Sequence, residues 1–293
     1  MFKLHHPAYY GIVRNFAEHL QRLGYSKSSQ HMLPKCVQEF LYKQEQEGLY
    51  DLTQLTSCEI AGHHEYLQQR PNRRRPGGLS EMMVNHHVYA LKLFFNWLQE
   101  LRMIEEHPMS ALHFAKPTSK AHEVLTCEEI TSLYGACETL KECAILHLYY
   151  GCGLRRNEGI KLNVSDVQFR NKMLYVREGK GGKGRAIPIT EKISEELKAY
   201  CYQERKARPQ EISFLVNQRG TRMHGQEVNK VLKKLCGLAQ IGKTVSLHSL
   251  RHSIATHLLE SGLSVEYVRD FLGHANLEST QRYTHIKNLA AWI

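Results

Sequence analysis

The chain has 293 residues, is 42% hydrophobic and carries a formal net charge of +10. No apolar run approaches the roughly 18 residues that cross a membrane, and the opening MFKLHHPAYYGIVRNFAEHL lacks the apolar core and small-residue cleavage site of a signal peptide. Neither a membrane-embedded nor an exported protein is expected; a cytoplasmic, nucleoid-associated protein whose basic surface attracts nucleic acid is.

The first 115 residues read as helix. YYGIVRNFAEHLQRLG sets Ile12, Val13, Phe16, Leu20 and Leu23 on one stripe, and Gly24 ends it. VQEFLYKQEQEG and MMVNHHVYALKLFFNWLQELRMI repeat the pattern, the second turning Val84, Val88, Leu91, Phe94, Phe95 and Leu98 toward a core. Between them, QRPNRRRPGG holds proline and glycine that forbid regular structure. Its Arg73, Arg74 and Arg75 are either phosphate contacts or an ordinary solvated loop.

HFAKPTSKAHEV has the lysine, proline and serine of an interdomain linker. The division expected is a helical domain over 1–115, a linker over 116–123 and a second domain over 124–293. Directly after the linker, Thr126 and Glu129 form the pattern of a capping box that starts a new helix. Helix continues through LKECAILHLYYGCGLRRNEGIKL. KMLYVRE, the turn GKGGKG and RAIPI then form a β-hairpin, and helical patterns resume from Ser194. The fold class expected is mainly α: a four-helix domain of the SAM-like type, then an α-rich α+β domain with a small antiparallel sheet. Eight cysteines without a C-x-x-C pair argue against a zinc ribbon or a redox motif.

Four stretches of the second half carry candidate chemistry. In GCGLRRNEGIKL, Arg155 stands just past a glycine break, where its guanidinium fork can meet a phosphate, with Glu158 one turn later to hold it. The bland alternative is a surface pair at i, i+3. In GKGGKGR, Lys180 and Lys183 sit on a turn that lacks the spacing of a phosphate-binding Walker loop. In SLHSLRHSIATHLLESG, Leu247, Leu250, Ile254 and Leu258 form a buried stripe, and His248 and Arg251 project together at i, i+3. His248 and His252 are four apart, but no nearby carboxylate completes a zinc set, so no metal is expected, and His252 and His257 are read as structural. The fourth stretch, LGHANLESTQRYTHI, holds His274 and Tyr283.

In this order and spacing, GLRRNE, GKGGKGR, HSLRHSIATHLL and LGHANLESTQRYTHI resemble the tyrosine recombinase (phage integrase) family, of the Xer-like or small-integrase type. The resemblance runs over residues 122–286. It implies that Arg155 and Arg251 bind the scissile phosphate, Lys180 is the general acid and His248 the acid/base near the nucleophile. It also makes His274 a hydrogen-bond donor to the phosphate, Tyr283 the nucleophile and Glu158 the brace of Arg155. The activity implied is cutting and rejoining of duplex DNA through a covalent 3′-phosphotyrosine with no cofactor. The partners implied are paired binding arms on DNA and three further recombinase subunits, identical or of a second kind. Arg73, Arg74, Arg75, Lys183, Arg185, Lys233 and Lys234 are candidate phosphate contacts. Leu289, Trp292 and Ile293, past the nucleophile, either dock on a neighbouring subunit or fold back in cis. The alternatives are a catalytically silent DNA-binding regulator and DNA relaxation of the type IB topoisomerase kind.

Overall fold

The computed structural model describes residues 2–73, 75–115, 123–177 and 184–273. The chain divides into two compact units, Met1–Lys120 and Ala121–Ile293.

Four helices build the first unit: α1 (Pro7–Arg22), α2 (Lys27–Gln46), α3 (Ser57–Gln69) and α4 (Glu81–Glu100). Each of the last three starts on a hydroxyl cap, Ser26, Thr56 or Ser80, which accepts an otherwise orphaned backbone N–H. Ile12, Phe16 and Leu20 of α1 pack with Phe40, Leu91, Phe94, Phe95 and Leu98 in one core. Leu23 departs from the expected stripe and is 59% exposed. It caps α1 at the point where Gly24 turns left-handed, φ 73°, so its side chain leaves the buried face. α2 begins ten residues before the apolar pattern of VQEFLYKQEQEG and runs straight through the buried Pro34. Packing against α1 and α4 outweighs the one helical hydrogen bond that proline removes.

The second unit holds α5 (Cys127–Gly135), α6 (Leu140–Leu146), α7 (Arg156–Lys161), α8 (Glu191–Ala199), α9 (Gly225–Leu238), α10 (Leu247–Glu260) and α11 (Val265–Leu272). The capping box of Thr126 and Glu129 forms as the sequence indicates. A sheet in the order β1 (Val167–Gln168), β2 (Met173–Val176), β3 (Arg185–Pro188) is antiparallel throughout. The hairpin closes on the pair Val176↔Arg185, while the two-residue β1 is too short to have left a periodic signal. Residues 205–224 are not helical, contrary to the reading of continuous helix after Ser194. There Phe214, Leu215 and Val216 are buried, and Phe214 N–H donates to the Leu162 carbonyl at 2.8 Å. That stretch thus finds its backbone partners across the fold rather than within a helix. Among the described residues, no helix is long and apolar enough to cross a membrane.

Candidate active site

The site grows from a turn that only glycine makes easily. The helix of α6 widens into a π-helical turn over His147–Gly151 and ends at Gly153, φ 57°. A Cβ there would stand 2.8 Å from Leu272 Cδ2 and 3.3 Å from Phe271 Cε1. Two residues on, Arg155 takes the N-cap position of α7 with extended backbone. Its N–H donates to Glu158 Oε2 at 2.9 Å and its Nη1 to Glu158 Oε1 at 2.8 Å. Glu158 therefore does brace Arg155, and it does so from a buried position.

Glu158 is also the carboxylate on which a second guanidinium closes. Arg185, the first residue of β3, donates Nη1 to Oε1 at 3.1 Å and Nη2 to Oε2 at 2.8 Å, a two-pronged buried pair. This corrects the expectation that Arg185 is a surface phosphate contact: its side chain is only 7% exposed and is committed to Glu158. Strand parity held the clue, because Arg185 shares its face with Ile187, which is fully buried.

Arg251 arrives from α10 on the same buried side as Leu247, Leu250, Ile254 and Leu258, all of which are in the core as expected. It donates to the carbonyls of Gly153 and Leu272, and its Nη1 lies 4.0 Å from Glu158 Oε2. Three arginines thus surround one carboxylate, an excess of two positive charges in a nearly dry site. Burial alone would raise the Glu158 carboxyl, but Arg185 and then Arg155 outweigh it and hold it down to about 2. Burial, with Arg155 and Arg185 beside it, pushes Arg251 down to about 9, which leaves it charged at neutral pH. A compact anion is the natural complement of such a cluster.

His248, three residues before Arg251 on α10, is exposed, with its ring edge-on to that of His252 at 5.6 Å. His257 is structural: it bonds Tyr150 Oη and the Leu125 carbonyl, each at 2.9 Å. Among the described residues no group of three His, Cys, Asp or Glu side chains could hold a metal ion. Lys180, Lys183, His274, Tyr283, Arg74 and the tail with Leu289, Trp292 and Ile293 lie outside the described residues.

The remaining basic candidates differ in how free they are. Lys233 is exposed on α9, and its neighbour Lys234, also exposed, is paired with Glu138 at 2.5 Å and Glu142 at 2.9 Å. In the first unit Arg75 is exposed, and the Arg73 guanidinium lies 3.9 Å from the centre of the Phe2 ring.

Residues 123–289 match the model of the phage integrase family. The tyrosine recombinase XerC of Chromobacterium violaceum is 32% identical, over 93% of this chain and 89% of its own. The tyrosine recombinase XerA of Pyrococcus horikoshii is 30% identical over 94% and 89%. The chain belongs to the phage integrase family, the tyrosine recombinases. Like its family, this recombinase is an enzyme of site-specific DNA recombination that breaks and rejoins strands. Its fold is that of solved recombinases: the Tn1549 transposon integrase in complex with circular intermediate DNA superposes with a TM-score of 0.72, at 19% identity, covering 93% of this chain and 94% of that one. The lambda integrase dimer bound to a core site superposes at 0.69, with 18% identity and coverage of 91% and 95%.

Proposed function

We propose that this recombinase cleaves duplex DNA with Tyr283 as nucleophile while Arg155 and Arg251 clasp the scissile phosphate. The observation that carries this is the convergence of Arg155 and Arg251, from separate motifs, around the single carboxylate of Glu158. A phosphodiester gains negative charge on its non-bridging oxygens as attack proceeds, so fixed guanidiniums aimed there favour the transition state over the ground state. Tyr283 Oη attacks phosphorus, the bond from phosphorus to O5′ breaks, and Lys180 gives O5′ its proton. His248 relays the proton of the nucleophile, and His274 donates a hydrogen bond to the phosphate. The 3′-phosphotyrosine keeps the energy of the broken bond, so a 5′-hydroxyl from a second duplex reseals the strand without a cofactor. Exchange of two strands in turn passes through a Holliday junction and requires paired binding arms and four subunits. The residues before position 116 and after 123 act as a DNA-binding clamp and a catalytic domain. In the cell the enzyme works in the cytoplasm on the nucleoid.

The test uses a duplex recovered by binding selection from a random-sequence library and nicked so that cleavage releases a short fragment. Wild type should accumulate a covalent protein–DNA adduct that Tyr283→Phe does not form. A wild-type protein that binds this duplex tightly yet forms no adduct would overturn the catalytic reading in favour of a DNA-binding regulator.

A further inference from the structure

We infer that Arg185 is a positioning residue for the proton donor of strand cleavage. By sharing Glu158 with Arg155 it fixes the base of the β2–β3 hairpin against the phosphate-binding guanidiniums, and Lys180 stands between those two strands in the sequence. The inference rests on the reading of Lys180 as the general acid.

The hairpin ends on the pair Val176↔Arg185, and in the sequence Lys180 stands between them, three residues after Arg177 and five before Arg185. A chain reaches at most about 3.3–3.6 Å per residue, so the base of the turn limits where the Lys180 ammonium can go. Two ion pairs hold that base. On the outgoing arm Arg177 Nε meets Asp166 Oδ1, and on the returning arm Arg185 closes on Glu158. They are not equal: the Arg177 side chain is 66% exposed, whereas those of Arg185 and Glu158 are 7% and 4% exposed. The Arg177–Asp166 pair is open to solvent on its arginine side, Asp166 being 5% exposed, and closes through Nε, while the two-pronged Arg185–Glu158 pair is buried on both sides and fixes angle as well as distance. Gly184 removes the remaining slack, because a Cβ there would stand 3.0 Å from the Val176 carbonyl and 3.1 Å from that of Arg177.

Arg185 has a third neighbour. Gly273, φ 86°, passes so close that a Cβ would come within 2.7 Å of Arg185 Nη1. The same guanidinium therefore touches the carboxylate that braces Arg155 and the backbone that leads into His274. Lysine at this position offers a single point charge in place of the planar fork and cannot reproduce the two parallel hydrogen bonds to the Glu158 oxygens.

If Arg185 acts through Lys180, its loss matters only when the leaving oxygen needs a proton. Sulfur in place of the bridging O5′ departs as a thiolate, so phosphorus–sulfur cleavage proceeds with the electron pair on sulfur and no proton delivered. The experiment measures single-turnover cleavage by the full chain on the selected nicked duplex, with oxygen or sulfur at the mapped scissile position. Arg185→Lys should slow the oxygen substrate about 100-fold yet stay within about 5-fold of wild type on sulfur, the scale of a displaced general acid. Misfolded enzyme slows both substrates alike, so the ratio of the two rates for one variant is independent of the folded fraction. Equal slowing on both substrates, or no slowing on either, overturns the inference. Lys180→Ala is run alongside. Sulfur that rescues Lys180→Ala but not Arg185→Lys overturns the role of Arg185 alone. Sulfur that fails to rescue Lys180→Ala overturns the assignment of the acid, and the inference with it.

Discussion

Glu158→Gln removes the one negative charge among three converging guanidiniums, two of them buried, while leaving the side-chain shape intact. In the folded protein the carboxyl is held down from 4.5 to about 2. A depressed carboxyl stabilises the fold fully above its unfolded value and loses that contribution as pH falls through its folded value. The difference is worth about 3 kcal/mol at pH 7, somewhat less at pH 4 and about 1 kcal/mol at pH 3, at roughly 1.4 kcal/mol for each unit between the two values. The variant should therefore be less stable than wild type by about 3 kcal/mol or more at pH 7, since Arg155, Arg185 and Arg251 are left without their counter-charge. Urea unfolding of both proteins at pH 7, 4 and 3, followed by far-UV circular dichroism, reads the gap directly. Titrations elsewhere in the chain cancel in the difference. A gap that stays constant from pH 7 to pH 3 would refute the electrostatic account and leave Glu158 as a packing residue.

The first unit has its own acid limb. Burial, then Arg70 and His86, hold His87 down to about 4, so it is neutral when folded and protonated when unfolded below 6.5. Its contribution is present above pH 6.5 and lost as pH falls toward 4, so His87→Leu should flatten the pH dependence of urea unfolding there by up to about 3 kcal/mol. An unchanged slope between pH 6.5 and 4 sinks this assignment. On the surface, Arg73→Ala and Arg75→Ala should each reduce the slope of log affinity against log salt by about 0.9, read by fluorescence anisotropy with the selected duplex. A slope identical to that of wild type means that the side chain makes no phosphate contact.

Much of this was local and therefore readable. The stripe of Leu247, Leu250, Ile254 and Leu258, the capping box of Thr126 and Glu129, and the brace of Glu158 on Arg155 all lie within a few turns of one helix or its cap. The hairpin was legible because a glycine-rich turn separates two short β-type runs. Leu23 departs from the stripe because the periodicity continues one step past Arg22, the last helical residue, to the cap before the chain turns at Gly24. Residues 205–224 were misread because their hydrogen bonds are made to distant backbone, such as the Leu162 carbonyl.

Composition and patterning were enough to indicate a helical first part, an α-rich second part with a small antiparallel sheet and a basic DNA-acting protein, since charge, periodicity and local caps are properties of short segments. The fate of Arg185 was a tertiary matter. Its partner Glu158 is 27 residues away, and Arg251 reaches the Gly153 carbonyl across 98 residues. A guanidinium carries the same charge on a surface and in a core. Only the packing of β3, α7 and α10 around one carboxylate made this one an internal strut rather than a contact to DNA.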